Sequence, residues 1–161
     1  FAHNDRLRGL IFEAAGPITG WQWVEGFPLV AAFKTAREQG LQVAQQLILD
    51  SPLLASAMRH ETVASDLLEI VQSYSGWHFE NRDPAVWAEP AAIDRLEEII
   101  TPALVVIGGL DVLDLRMQGE ALAKRLPNAT RLDMPESGHV PNMEEPEKFN
   151  KAVLGFLQGL E

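Results

Sequence analysis

Residues 104–111 have the sequence LVVIGGLD and residues 137–141 have the sequence SGHVP, so Asp111 precedes His139 by 28 residues. A continuous apolar run like the one before the two glycines is typical of a strand buried on both faces of a parallel sheet. The acid then lies in the turn at the carboxyl end of that strand, and the histidine lies in a loop after the next strand. The pattern predicts an α/β fold that presents both side chains at one edge of its sheet.

The residues around these two motifs continue the alternation of strands and helices. We expect a strand from Ala103 to Ile107, a helix from Arg116 to Leu126, a strand from Thr130 to Met134 and a helix from Pro146 to Leu157. Asn128 marks the turn before the second of these strands. The apolar residues of the last helix that we expect to cover the sheet are Phe149, Val153, Phe156 and Leu157. This βαβα order predicts a layered domain around a parallel sheet.

The first half of the sequence predicts one more strand followed by a helical insertion. The strand runs from Leu7 to Phe12, and Gly16-Pro17 ends it. Helices are predicted from Val24 to Glu38, from Leu41 to Leu49, from Thr62 to Val71 and from Ile93 to Ile100, with a capped helix start at Asp83-Pro84. We therefore divide the chain into a core, residues 1–17 and 94–161, and a helical lid, residues 18–93.

These motifs together resemble the carboxyl-terminal part of an α/β-hydrolase. The resemblance rests on Gly108-x-x-Asp111, on Ser137-Gly138-His139 and on the Glu144-Glu145-Pro146 that follows. It implies an α/β fold with three parallel strands, flanking helices and an inserted helical lid. It also implies that Asp111 and His139 are the acid and the base of a catalytic triad, in which the histidine takes the proton of a serine and the acid orients the imidazole.

The nucleophile of that triad is not found in the sequence. The family places it before the acid, on a Gly-x-Ser-x-Gly turn, and no serine of this chain has glycines two residues before and two residues after it. The chain also has no cysteine and no His-Gly oxyanion loop. We therefore expect it to be the carboxyl-terminal part of a longer hydrolase, which would need about 100 further residues at roughly 30 per βαβ unit, and to be inactive alone.

Several polar residues near the motifs have alternative interpretations. Asp114 lies in the same loop as Asp111 and is a rival for the role of acid, although Asp111 fits the family pattern better. We expect Ser137 to be structural, because it lies only two residues from His139, which disfavours the geometry that the histidine would need to take its proton, and because no oxyanion donors are indicated nearby. The acidic run Glu144, Glu145 and Glu147 is interpreted as a solvated face at the start of the last helix, where negative charge is favourable.

The resemblance implies a small-molecule acyl substrate such as an ester or a lactone, and the sequence after His139 is similar to that of enol-lactone hydrolases. Trp21 and Trp77, near the ends of the insertion, and Val140, next to the histidine, are candidates for contact with substrate. No cofactor is expected. No metal site is expected either, because His3, His60 and His78 lack partners at ligand spacing.

Composition narrows the choice of partners. A net charge of −10 disfavours binding to nucleic acid or to an anionic membrane. The negative net charge, the lack of cysteine and the lack of a long apolar run together favour a cytoplasmic protein. We expect the unpaired edge of the first strand to be covered by the missing amino-terminal half or by a second copy. The alternative function is a non-catalytic protein of the same fold that binds a small molecule or another protein.

Overall fold

The computed structural model describes residues 1, 3–16, 18–27, 29–81, 84–87 and 89–160. A parallel sheet of three strands in the order β1-β2-β3 lies at its centre. The strands are β1 (Leu10–Glu13), β2 (Ala103–Gly108) and β3 (Ala129–Met134). This sheet and its flanking helices confirm the predicted α/β fold with three parallel strands.

Helices surround the sheet and fill the segment between β1 and β2. The α-helices are α1 (Val30–Gln39), α2 (Leu41–Leu49), α3 (Glu61–Ser73), α4 (Trp77–Glu80), α5 (Leu113–Arg125), α6 (Pro141–Glu144) and α7 (Pro146–Gln158). Short 3-10 helices cover Asn4–Arg6, Ala57–Arg59 and Ala92–Glu98. No helix among the described residues is long and apolar enough to cross a membrane.

The central strand β2 is buried along its whole length. Successive side chains of a strand point to opposite faces of the sheet, and here both faces are covered. Val105 and Ile107 pack in a cluster with Leu122 of α5. Leu104 and Val106 pack in a second cluster. The residues of α7 in that cluster are Phe149, Val153 and Phe156. The uninterrupted apolar sequence of β2 follows from this burial on both sides.

The helical insertion between β1 and β2 has apolar clusters of its own. Ala32, Ala44 and Phe79 form one of them. The other is centred on Leu49, Leu54, Ala57, Val63 and Leu67, and Val140 and Met143 of the segment after His139 pack against it. The insertion therefore lies against the loop that carries the histidine. The division into a core and a lid at residues 17 and 93 stays a prediction.

Several predicted element boundaries differ from the observed ones. The first strand begins at Leu10 instead of Leu7, because pairing with β2 starts at Leu10 and Leu7 is exposed. The first long helix begins at Val30 instead of Val24, since the backbone N–H groups of Val24 and Glu25 are held by Asp114. In contrast, α2 has the predicted bounds.

Two further predictions about helices are wrong. Residues 84–87 form no helix, so Pro84 does not begin one, and Asp83 lies outside the described residues. Leu157 was expected on the covering face of α7, but it is 47% exposed and absent from the cluster that Phe156 joins. The helical rotation between these neighbouring positions places their side chains on different faces of α7.

Candidate active site

The acid loop and the histidine loop are packed together at the carboxyl end of β2. The N–H of Gly109 donates to Met134, and the N–H of Leu110 donates to the carbonyl of Ser137, both at 2.9 Å. A side chain on Gly108 would overlap the carbonyl oxygen of Gly138, and one on Gly109 would lie 2.7 Å from the backbone of Pro135. The two adjacent glycines are therefore required by the close approach of two backbones.

This packing brings together Asp111 and His139, the two residues that the sequence singled out. The Nδ1 atom of His139 lies 3.0 Å from Oδ2 of Asp111. The other carboxylate oxygen, Oδ1, accepts the backbone N–H of Val112 at 2.7 Å. An ionised carboxylate only accepts hydrogen bonds, so this geometry favours the tautomer with its proton on Nδ1 and a basic Nε2. Such an imidazole is suited to remove a proton from a nucleophile.

Asp114, the rival acid, is engaged elsewhere. It is buried in the first turn of α5, where its carboxylate accepts hydrogen bonds from the indole Nε1 of Trp21 at 3.0 Å and from the N–H groups of Val24 and Glu25 at 2.8 and 2.9 Å. Burial opposes ionisation, but these donors outweigh it and hold the pKa of Asp114 below its ordinary value. Asp114 thus fixes the segment after β1.

Glu144 is a correction to the expected solvated acidic face. Its side chain is fully buried. It accepts the hydroxyl of Ser56 at 2.5 Å and the N–H groups of Gly138 and Val140 at 2.9 and 3.4 Å. The expectation failed because Glu144 ends the short helix α6, which turns it inward, and is not part of α7.

Ser137 and Glu145 contact each other beside this buried carboxylate. Ser137 is buried, and its hydroxyl donates to Oε2 of Glu145. Glu145 is thus held to the histidine loop, while Glu147 is exposed in the first turn of α7. This arrangement agrees with a structural role for Ser137 and gives its hydroxyl an acceptor other than His139.

Glu13 is a further acidic residue near the histidine, and the sequence analysis missed it. It ends β1, and its Oε1 accepts the N–H of Asn142 at 3.0 Å. Burial raises the pKa of Glu13 above the ordinary carboxyl value, although the Asn142 hydrogen bond and the nearby His139 oppose this shift. Its position at the carboxyl end of a strand is the signal that would have singled it out.

The structure places the three candidate substrate contacts in different surroundings. Val140, next to His139, packs against the Leu49 and Leu54 cluster. Trp21 donates to Asp114 and lines an open cleft with Trp23 and Trp87. Trp77 is 44% exposed and packs edge-on against His78. Contact of these residues with substrate stays a prediction.

The described part of the chain contains no group of three or more His, Asp or Glu side chains placed to hold a metal ion. The imidazole Nε2 of His60 lies 3.9 Å from Oε2 of Glu144.

The fold is that of α/β-hydrolases. Among solved structures, MenH from S. aureus superposes on 96% of this chain and 60% of its own with a TM-score of 0.79 at 21% identity. The enol-lactonase from Burkholderia xenovorans LB400 matches 97% of this chain and 58% of its own with a TM-score of 0.70 at 24% identity. These likenesses show the fold and confirm the resemblance predicted from the motifs.

Curated relatives match a shorter stretch of sequence. The putative carbamate hydrolase RutD from Caulobacter sp. (strain K31) is 45% identical over 66 residues, which are 41% of this chain and 25% of that protein. The 3-oxoadipate enol-lactonase 2 from Acinetobacter baylyi is 33% identical over 71 residues, which are 44% of this chain and 26% of that protein. The chain thus matches about a quarter of the length of these relatives. No protein-family model matches it.

Proposed function

We propose that this chain supplies the acid and the base of the catalytic triad of an α/β-hydrolase that cleaves an ester, lactone or related acyl bond. The observation that carries the proposal is the 3.0 Å contact between His139 and Asp111, whose other oxygen is held by the backbone. In this mechanism His139 takes the proton of a nucleophile on another segment and then delivers it to the leaving group. Asp111 holds the required tautomer and stabilises the imidazolium.

The acyl substrate class is supported by the relatives. Two sequence relatives are named a putative carbamate hydrolase and an enol-lactonase. Carbamates and lactones both contain a carbonyl carbon that a nucleophile can attack. The chain lacks a Gly-x-Ser-x-Gly turn, so the proposal assigns the nucleophile to residues outside it and expects the 161-residue chain to be inactive alone. The helical insertion would act as the lid over the substrate, with Trp21, Trp77 and Val140 as candidate contacts.

A serine-directed fluorophosphonate and a panel of aryl esters and lactones test this proposal. The probe should label the intact gene product but not the 161-residue chain. In the intact product, His139→Ala should lower turnover by about 10⁶-fold and Asp111→Asn by about 10⁴-fold. His3→Ala is the matched control, because His3 is exposed in a turn before β1, and it should leave turnover unchanged.

Three outcomes contradict the proposal. Hydrolysis by the isolated chain would mean that it holds its own nucleophile. Full turnover in the His139→Ala protein would remove the histidine from the mechanism. An intact product that is neither labelled nor active would favour the alternative, a non-catalytic binding protein of the same fold.

A further inference from the structure

Glu144 lies at the junction between the helical insertion and the histidine loop. Its side chain has no exposed surface. One carboxylate oxygen, Oε2, accepts the hydroxyl of Ser56, which precedes the 3-10 helix of the insertion. The other, Oε1, accepts the backbone N–H groups of Gly138 and Val140. One buried group therefore connects two segments that are 88 residues apart in the chain.

The carboxylate of Glu144 is buried, so this connection requires hydrogen-bond donors around it. Removal of a carboxylate from water is unfavourable unless hydrogen-bond donors replace the lost solvent. The donors here are Ser56, Gly138 and Val140, and the imidazole of His60 lies 3.9 Å away. Removal of the insertion's donor would leave a buried, under-coordinated charge directly beneath the histidine loop.

The two backbone donors are the residues on either side of His139. Gly138 and Val140 both point their N–H groups at the same oxygen of Glu144, at 2.9 and 3.4 Å. The peptide group between Ser137 and Gly138 and the one between His139 and Val140 are thereby held, and with them the backbone from which the side chain of His139 leaves. Asp111 then meets Nδ1 at 3.0 Å. Glu144 acts on His139 through the backbone and has no need to touch the imidazole.

Close packing supports the same connection. A Cβ atom on Gly138 would lie 2.7 Å from Cβ of Ser56, so the insertion rests directly on the histidine loop. Arg59, one turn after Ser56, donates to the Ser56 hydroxyl at 3.1 Å and orients it. The contact between Ser56 and the histidine loop is therefore supported by close packing against Gly138 and by the hydrogen bond from Arg59.

We propose that Glu144 is a positioning residue for His139, and that through Ser56 it makes the orientation of the histidine depend on the docking of the helical insertion. This inference rests on the proposed function in taking His139 as the base. It adds that lid and base are coupled by a buried carboxylate, so that displacement of the insertion disorders the pair of His139 and Asp111.

The test is nitrogen-15 NMR of the imidazole of His139 in the intact gene product, which reports its tautomer and its Nδ1 proton. In Glu144→Ala the Nδ1–H signal should be lost and the two tautomers should mix. Glu144→Gln should retain the wild-type signal, because its amide oxygen still accepts from Gly138 and Val140 and its NH₂ group can donate to Ser56. The control Glu147→Ala removes an exposed carboxylate three residues away and should change nothing.

A double variant on the insertion tests the coupling without altering Glu144. Ser56→Ala alone leaves Arg59 free to replace the lost donor, so Arg59→Met is combined with it. The double variant should also lose the Nδ1–H signal of His139, while the exposed control Ser65→Ala on α3 should not. If Glu144→Ala does not fold, this double variant decides the question together with Glu144→Gln.

A wild-type histidine signal in folded Glu144→Ala, or in the folded double variant, would overturn the proposal. Loss of the signal in Glu144→Gln would also overturn it, because that variant keeps the acceptor. None of these readouts needs a nucleophile or a substrate. A failure here is therefore distinguishable from a failure of the proposed hydrolase activity, which is measured by labelling and turnover of the intact product.

Discussion

Four carboxylates near the site have different tasks because they meet different donors. Asp111 faces an imidazole, Asp114 gathers the N–H groups of the segment after β1, and Glu144 holds the histidine loop. Glu13 accepts a single backbone N–H while half-buried. The identity of an acidic residue thus says little about its role until its donors are known.

The raised pKa of Glu13 leads to a prediction about stability and pH. A carboxyl group with a higher pKa in the folded state binds its proton more tightly there than in the unfolded chain. Stability therefore falls as pH rises from the ordinary value of 4.5 through the folded-state pKa, and it stays reduced above. Glu13→Gln removes this loss and keeps an acceptor for Asn142, so it should be more stable than the wild type at neutral pH.

Urea unfolding at neutral pH and below the ordinary carboxyl pKa measures this effect. The advantage of Glu13→Gln should disappear at the lower pH, where the wild-type side chain is protonated in both states. Glu147→Gln is the control for the change in net charge, because its carboxylate is exposed. An equal gain in both variants would assign the effect to net charge instead of burial.

The sequence predicted Asp111 and His139 because each follows a strand in a short motif. It did not predict Glu13 or Glu144. Whether an acidic side chain is exposed or buried depends on segments distant in the chain, such as Asn142 for Glu13 and Ser56 for Glu144. These contacts cannot be predicted from local sequence, although the position of Glu13 at the end of a strand could have singled it out as a candidate.

At the scale of elements, helix α7 covers the sheet with only one of its faces. Phe156 packs on the sheet with Leu104 and Met134, while the neighbouring Leu157 is 47% exposed. Phe156→Ala should therefore lower the free energy of unfolding by about 2 kcal/mol, less than for a fully buried phenylalanine. Leu157→Ala should change it by less than about 0.5 kcal/mol. Equal losses of unfolding free energy in the two variants, measured by urea unfolding, would contradict the placement of Phe156 and Leu157 on different faces of α7.

Elements with strong apolar patterns were predicted well, whereas those set by distant contacts were not. Strands β2 and β3 and helix α2 were predicted to within a residue or so. Their own sequences contain the apolar patterns on which the predictions rest. The start of α1 was predicted six residues too early, at Val24 instead of Val30. The N–H of Val24 donates to Asp114, which lies 90 residues away, and Gly26 has a left-handed φ of 84° that a helix cannot contain.

At the scale of the whole molecule, both outer strands of the sheet, β1 and β3, have no further strand beside them among the described residues, and the edge of β1 is the one that we expect to be covered. Strand β1 pairs with β2 on one side only, and Ile11 on this strand is 40% exposed. An edge of this kind is a template for pairing with another chain. Its cover, an amino-terminal half or a second copy, stays a prediction.

We expect the 161-residue chain alone to self-associate as its concentration rises, as measured by sedimentation velocity. Ile11→Lys should reduce that association, because a charged side chain blunts an edge strand. Leu154→Lys is the control, since Leu154 is 59% exposed on the helix α7 and not on a strand. An equal effect of both lysines, or a chain that is monomeric at every concentration, would contradict a role for the edge.

The buried position of Glu144 has a consequence for protein engineering. Exchange of helical insertions between related enzymes is a direct way to transfer substrate preference, and a graft that carries only the pocket-lining residues would neglect the underside of the insertion. A donor insertion without a hydroxyl where Ser56 stands would remove one hydrogen bond to the carboxylate. Under the proposed coupling it should also misalign His139. Chimaeras should therefore inherit Ser56 and Arg59 with the graft, or replace Glu144 at the same time.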